Sequence, residues 1–201
     1  MANFFDKYEL YTEGDSIYCY PGTYVLKNKL GLQEYPQLKK AETELVSARL
    51  FEQEINPVKG IFDKKHLYAI HRYLFQDIYD FAGKTRKEDI SKGNTKFCVH
   101  IYVEEQLSQL FAKVKNIKAG ENSDRQTKIS FLAYLMAELN IIHPFREGNG
   151  RAIREFIRQY ALKLGLTINW GAIERERLLE AMVASVLDIS DLKSCLDKMI
   201  P

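Results

Sequence analysis

Apolar and polar positions follow a helical period over most of the chain. After Pro36, a residue suited to a first helical turn, Leu38, Leu45, Ala48 and Phe51 recur near helical spacing and predict a long helix. Asp63 stands where it can cap the next, which runs through Tyr79 with Leu67, Ile70, Leu74 and Ile78 on one stripe. Further helices are predicted over 103–118, closed by Gly120, from about 123 to 142, over 149–164 up to Gly165, over 171–187, and over 190–199 with Ser190 as its cap. A short one over 23–30 stops at Gly31. Segment 123–142 is apolar almost all round, the mark of a central helix in a bundle.

The period breaks between residues 84 and 100. There Gly93-Asn94 separates two short β-capable runs, 85–90 and 95–101, which predicts a hairpin leaning on the helices. The first twenty residues are rich in Tyr, Phe and acidic groups without a period and read as an irregular arm. These elements amount to an arm over 1–20 and one all-α domain over 21–201, its core about 21–187, with a single β-hairpin and a C-terminal helix at 190–199.

Composition narrows the classes. A chain of 201 residues is long enough for one sizeable core. A net charge of +2 demands no extended nucleic-acid surface, so the clusters Lys84, Arg86, Lys87 and Arg175, Arg177 read as solvated faces. Cys19, Cys98 and Cys195 are odd in number and lack CxxC or CxxH spacing, which argues against a disulfide framework or a zinc site and for a cytoplasmic setting. The N-terminus has no basic region followed by an apolar core. The longest apolar stretch, 129–142, contains Ser130, Glu138 and Asn140, so a buried helix is expected and not a membrane span.

The run from His143 to Arg154, HPFREGNGRAIR, carries the chemistry. Pro144 disfavours helical backbone at His143, so the preceding helix should end there. Gly148 and Gly150 allow backbone shapes closed to other residues, and the helix that follows exposes unpaired N–H groups at the positive end of its dipole, a ready phosphate site. Arg151, Arg154 and Arg158 span only about 60° of that helix, and planar guanidiniums suit bidentate phosphate contacts. Glu147 offers a hard oxygen for Mg²⁺, and His143 can accept a proton from an attacking hydroxyl. Taken singly, each residue has an ordinary reading: a helix-end histidine, a turn glycine, a solvated charge. A helix-turn-helix nucleic-acid binder would explain the arginine stripe but neither His143 nor Glu147.

This run resembles the signature of the Fic family, HxFx[D/E]GNGRxxR, at every fixed position. Residues 20–30, Phe81-Ala82-Gly83-Lys84-Thr85-Arg86 and Ser91-Lys92-Gly93-Asn94-Thr95 are also similar to stretches of bacterial Fic domains. The resemblance implies a helical core that transfers AMP from Mg²⁺-ATP to Ser, Thr or Tyr hydroxyls of a target protein. By motif position it implies His143 as general base, Phe145 as loop anchor and Glu147 as the Mg²⁺ ligand. Gly148, Asn149 and Gly150 become the anion hole, with Arg151 and Arg154 on the β- and γ-phosphates. It further implies that the hairpin 85–101 is a flap that docks the target by strand addition and borders the nucleotide through Lys92, Gly93, Asn94 and Thr95. Members that phosphorylate instead carry Lys where Gly150 stands, so Gly150 favours AMP transfer. The family's inhibitory pattern, [S/T]xxxE[G/N], is absent from the chain, so restraint by a separate small antitoxin is expected, as for class I toxin-like members. The alternative is a catalytically silent interaction module that retains the motif for structure. No membrane or direct nucleic-acid partner is expected.

Overall fold

The computed structural model describes residues 9–10, 16–92, 95–117 and 119–201. Among them are seven α-helices: α1 (Tyr35–Ile55), α2 (Lys64–Phe75), α3 (Val103–Asn116), α4 (Arg125–Ile142), α5 (Asn149–Lys163), α6 (Arg175–Ala184) and α7 (Ser190–Met199). Three short strands complete the fold: β1 (Glu9–Leu10), β2 (Ile90–Lys92) and β3 (Thr95–Lys96). The helical bundle with a hairpin stands as expected.

Helix α4 is the axis. Ile129, Phe131, Leu132, Ala133, Leu135, Met136, Ala137, Leu139 and Ile142 are all buried, because α3, α5 and α7 pack around it. Asp124 caps it by accepting from Thr127 N–H at 2.9 Å. Helix α5 lies between α4 and α2, burying Ala152, Ile153, Phe156, Ile157 and Ala161. The run 143–154 is therefore the joint between α4 and α5, two helices with about half their residues buried. No helix among the described residues is long and apolar enough to cross a membrane.

Several predicted boundaries shift. Asp63 caps α2 as expected, its carboxylate accepting from His66 N–H at 2.9 Å, but the helix stops at Phe75 and its stripe continues as a buried turn through Ile78. Residues 23–30 form no helix. Tyr20 and Val25 hydrogen-bond across a turn, Cys19 bridges to Leu26, and the Asn28 side chain closes the loop onto Leu26 O and Leu32. Local polar closure outcompetes a stretch with little helical stripe of its own. Segment 171–187 is helical only over α6, because Trp170–Ala172 winds as a 3₁₀ turn. Helix α7 begins at Ser190, but Asp188 rather than Ser190 supplies the capping oxygen, accepting from Ser190 N–H and Oγ–H.

Helix α1 buries a different face from the one its apolar residues predict. Phe51 is 65% exposed, while Glu42, Val46 and Gln53 join Leu38 inside. The buried stripe runs through polar residues whose partners come from other helices.

The hairpin strands are shorter than the predicted runs, and β2 is the centre of a three-stranded antiparallel sheet ordered β1-β2-β3. The strand β1 comes from the N-terminal arm, with Glu9 opposite Ser91 and Leu10 opposite Ile90. Further along the arm, Ser16 Oγ–H and Ile17 N–H donate to the Glu88 carboxylate at 2.5 and 3.2 Å. A segment that reads as irregular in sequence is thus paired with the hairpin edge.

Candidate active site

His143 ends α4 in the left-handed region, at φ 47° and ψ 62°, a costly conformation for a residue with a β-carbon. Pro144 bars the right-handed helix at this position, and three contacts select the left-handed alternative. His143 N–H still donates to Leu139 O at 3.0 Å. Its Nδ1 lies 2.9 Å from Asn140 O, which fixes Nδ1 as the protonated nitrogen and makes Nε2 the basic one. Its carbonyl accepts from Arg86 Nε at 2.9 Å. The ring is stacked on Phe97, just past β3, with centroids 3.7 Å apart. Burial, then the Arg86 and Lys92 charges, push its pKa down to about 3, so the imidazole is neutral at physiological pH, the form a general base requires.

Arg86 is 2% exposed, contrary to its expected place on a solvated face. Besides His143 O, its guanidinium donates to Glu88 O at 2.9 Å, to Ile142 O at 3.3 Å and to Cys98 O, and its backbone N–H donates to Pro144 O at 2.9 Å. Carbonyls at the negative end of α4 take up its charge, with Asp89 3.6 Å away. One side chain joins the end of α4, the loop after it and both approaches to the hairpin. Basic composition alone does not signal this role; the neighbouring Phe81-Ala82-Gly83 is the only local hint of an enclosed segment.

Beyond His143 the loop is built from the inside. Phe145 is fully buried and stacks on His71 at 3.7 Å. His71 accepts from Gly83 N–H on Nδ1 at 2.8 Å and donates from Nε2 to Glu147 O at 2.9 Å, while burial pushes its pKa down to about 3. Asn149 closes a ring with Phe145, accepting from its N–H at 2.8 Å and donating to its carbonyl at 2.7 Å. The Asn149 side chain therefore shapes the loop, and its backbone is what it offers to an anion. Gly148, at φ 81°, has to be glycine twice over: a β-carbon there would be strained, and would lie 2.2 Å from the Phe75 ring. Arg146 is buried on Glu88 at 2.9 Å, which ties the loop to the arm.

At the start of α5 the first helical bond runs from Ala152 N–H to Gly148 O at 3.0 Å, so the N–H groups of Asn149, Gly150 and Arg151 precede the ladder and point out of the helix end. A β-carbon at Gly150 would sit 3.3 Å from Arg154 Nη1, which puts the Arg154 guanidinium beside the first turn of α5. Glu147 accepts from Gly148 N–H at 2.8 Å and from Arg151 Nη2 at 3.4 Å. Burial, then the nearby Glu42 carboxylate, raise its pKa. Arg151 donates to Glu42 on α1 at 2.6 Å and lies over the Phe75 ring at 4.8 Å. Arg158, third on the predicted stripe, is instead bound to Glu155 and to Gln53 O in the α1–α5 contact.

The structure thus brings together His143, Glu147, Gly148, Asn149, Gly150, Arg151 and Arg154, with Lys92 close enough for its charge to act on the imidazole. Thr95 is half-buried in β3. Gly93 and Asn94 lie outside the described residues.

An imidazole, a carboxylate and the exposed N–H groups of a helix start therefore meet at one junction. The model of the Fic/DOC family matches residues 61–161. Protein adenylyltransferase VbhT of Bartonella schoenbuchensis is 38% identical over 192 residues, covering 92% of this chain and 39% of its own length. Probable protein adenylyltransferase Fic of Salmonella typhimurium is 35% identical over 190 residues, covering 94% of both chains. The chain therefore spans well under half of VbhT and nearly all of the Salmonella protein. Among solved structures, the AMPPNP-bound BepC protein of Bartonella tribocorum has a TM-score of 0.83 at 24% identity, covering 92% of this chain and 96% of that one. The N-terminal Fic domain of an effector from Bartonella sp. AR 15-3 has a TM-score of 0.82 at 26% identity, covering 91% and 90%. This chain belongs to the Fic/DOC family.

Proposed function

We propose that the chain is a protein adenylyltransferase that moves AMP from ATP to a hydroxyl of a target protein. The observation that carries this reading is the junction of α4 and α5: a neutral imidazole with its Nδ1 committed to Asn140, set before a helix start with Arg154 beside its first turn. The names of relatives that align over nearly the whole chain support the same activity.

In this mechanism the amide groups at the start of α5 and the Arg154 guanidinium bind the polyphosphate and orient its α-phosphorus toward His143. The target hydroxyl oxygen attacks that phosphorus while Nε2 of His143 takes its proton. The bond to the bridging oxygen breaks, and pyrophosphate leaves. Phe97, stacked on the ring, and Asn140 O, bound to Nδ1, keep the imidazole from turning away during the transfer.

The residues fit a magnesium ion. Glu147 is a half-buried carboxylate, and the described residues contain no cluster of three His, Cys, Asp or Glu that would cage a metal by protein alone. That suits a cation shared between one carboxylate and phosphates. Bound there, Mg²⁺ would neutralise charge on the α- and β-phosphates.

The target docks by strand addition. Because β2 lies between β1 and β3, a target segment either pairs with β3 or takes the place of β1. Restraint comes from a separate antitoxin. Glu42 is a carboxylate from outside the motif that meets a motif arginine, but Leu38 stands four residues before it and Thr43 after it, so it does not match the inhibitory pattern. Three free cysteines suit a cytoplasmic setting.

Incubating the purified chain with Mg²⁺, host lysate and ATP labelled at the α-phosphate should transfer label to protein. His143→Ala should cut the rate by about 10²–10⁴, the contribution of a general base, with the fold intact by circular dichroism. Label arriving only from the γ-position would replace this reading with a kinase.

A further inference from the structure

Arg86 lies between the two regions that the proposed reaction has to bring together. Its side chain is fully buried, and a guanidinium so placed is costly unless its donors are occupied. They are spread over three segments. Nη1 donates to Glu88 O at 2.9 Å, on the chain entering β2, and Nη2 donates to Cys98 O, on the chain leaving β3. Nε donates to His143 O at 2.9 Å and Nη2 also to Ile142 O at 3.3 Å, carbonyls at the end of α4 that lack helical donors. A guanidinium is planar and rigid, so these bonds fix both stems of the hairpin against the residue that carries the base. Two further contacts close the same seam: Cys98 N–H donates to Ile141 O at 3.0 Å, and Phe97 stacks on the imidazole. Asp89 Oδ1 braces the joint from the hairpin side, accepting from His100 N–H at 2.6 Å and standing 3.6 Å from Arg86 Nη1.

Resting on the adenylyltransferase reading, we infer that Arg86 is a positioning residue that locks the hairpin and His143 into one unit, so that a polypeptide paired with the hairpin presents its hydroxyl in register with Nε2. Docking and proton transfer then share one frame. A target strand on the hairpin cannot shift relative to the imidazole without breaking the bonds to Glu88 O, Cys98 O or His143 O. Polyphosphate is held at the start of α5 and by Arg154, so losing the lock slows transfer far more than it weakens ATP binding.

Arg86→Lys keeps the positive charge near the imidazole but cannot bridge three segments at once. Isothermal titration of the full chain with Mg²⁺-ATP counts the intact sites, and labelling of host lysate from α-labelled ATP is then expressed per site. Labelling per site should fall by about 10²-fold, the cost of a misplacement on the order of 1 Å, while the apparent KM for ATP stays near that of the wild type. Hydrogen exchange should show 88–92, 95–99 and 141–145 losing protection together, with the earlier turns of α4 unchanged. Asp89→Asn, which loosens only the hairpin side, should move the same quantities in the same directions by less, and it carries the test if Arg86→Lys does not fold. Unchanged labelling per site in the folded variants overturns the inference. So does lost protection confined to 141–145, which would make Arg86 a brace of the loop alone, or a uniform loss along the chain, which would make it purely structural. Each of these leaves the adenylyltransferase reading in place. Wild-type chain that binds Mg²⁺-ATP but transfers no label overturns both.

Discussion

In the loop 143–149, six of seven residues are buried and the seventh, Glu147, is held through its carbonyl and its carboxylate. Across the imidazole of His143 stands the hairpin, whose strands are three and two residues long and whose Lys92, Thr95 and Lys96 are partly or fully exposed. Both regions meet at His143: its carbonyl, in the loop, accepts from Arg86, and its ring stacks on Phe97 just past β3. The loop has to hold an imidazole and a helix start in one geometry, so its side chains are spent inward. The hairpin leaves a backbone edge at β3 and polar side chains outward, which suits the proposed docking of a second polypeptide. Burial holds the loop's geometry, and the hairpin keeps what burial leaves over.

That comparison can be broken at several points. The largest effect on stability is expected at Phe145, fully buried against His71. Phe145→Ala should cost about 3–5 kcal/mol in urea denaturation, with labelling lost in parallel. Gly148→Ala should cost about 2 kcal/mol through crowding of Phe75 and positive-φ strain, and should abolish labelling in whatever protein remains folded. An unchanged midpoint in either variant would mean that the loop is not held as tightly as its contacts imply.

Acidity gives the next effect. The buried rings of His71 and His143 have pKa values pushed down to about 3, whereas the unfolded chain titrates near the usual histidine value of about 6.5. Between those values the unfolded state binds more protons. The stability these neutral rings allow is therefore complete above about pH 6.5 and is lost as pH falls toward 3, with a slope of about 1.4 kcal/mol per pH unit for each histidine. His143→Ala should remove one such contribution, read as a shallower fall in urea midpoint between pH 6 and pH 4.5. An equal slope in the variant would contradict the burial of the imidazole.

The smallest stability effect belongs to the hairpin. Thr95→Ala, on a half-buried two-residue strand, should shift stability by less than about 0.5 kcal/mol. It should still raise the KM for the target protein while leaving kcat unchanged. A large stability loss there, or a change in kcat alone, would erase the contrast between the two regions.

Much of the loop was legible in sequence because its determinants are local. Pro144 ends a helix, Gly148 permits a left-handed turn, and Asn149 starts the next helix, all within reach of backbone sterics and i to i+4 bonding. The partners that make the loop work were not legible. Arg86 looks like one member of a charged cluster, yet it is buried under four carbonyls, one of them 57 residues away. Glu42 had a faint signal, since it falls one helical turn from both Leu38 and Val46, on the stripe that proved to be inside. Apolar counting passed over it and favoured Phe51, which faces solvent.

By itself the sequence determined the helical period, the central helix, the Asp63 cap and the order of residues around one glycine turn, because each depends on neighbours a turn away. Tertiary structure alone decided which face of α1 turns inward, which arginine is spent on carboxylates, and that the arm pairs with β2. Those outcomes depend on which desolvated charge or unpaired strand edge finds a partner once distant segments meet. No local rule ranks such partners, because the energy that selects them exists only when the core has closed around them.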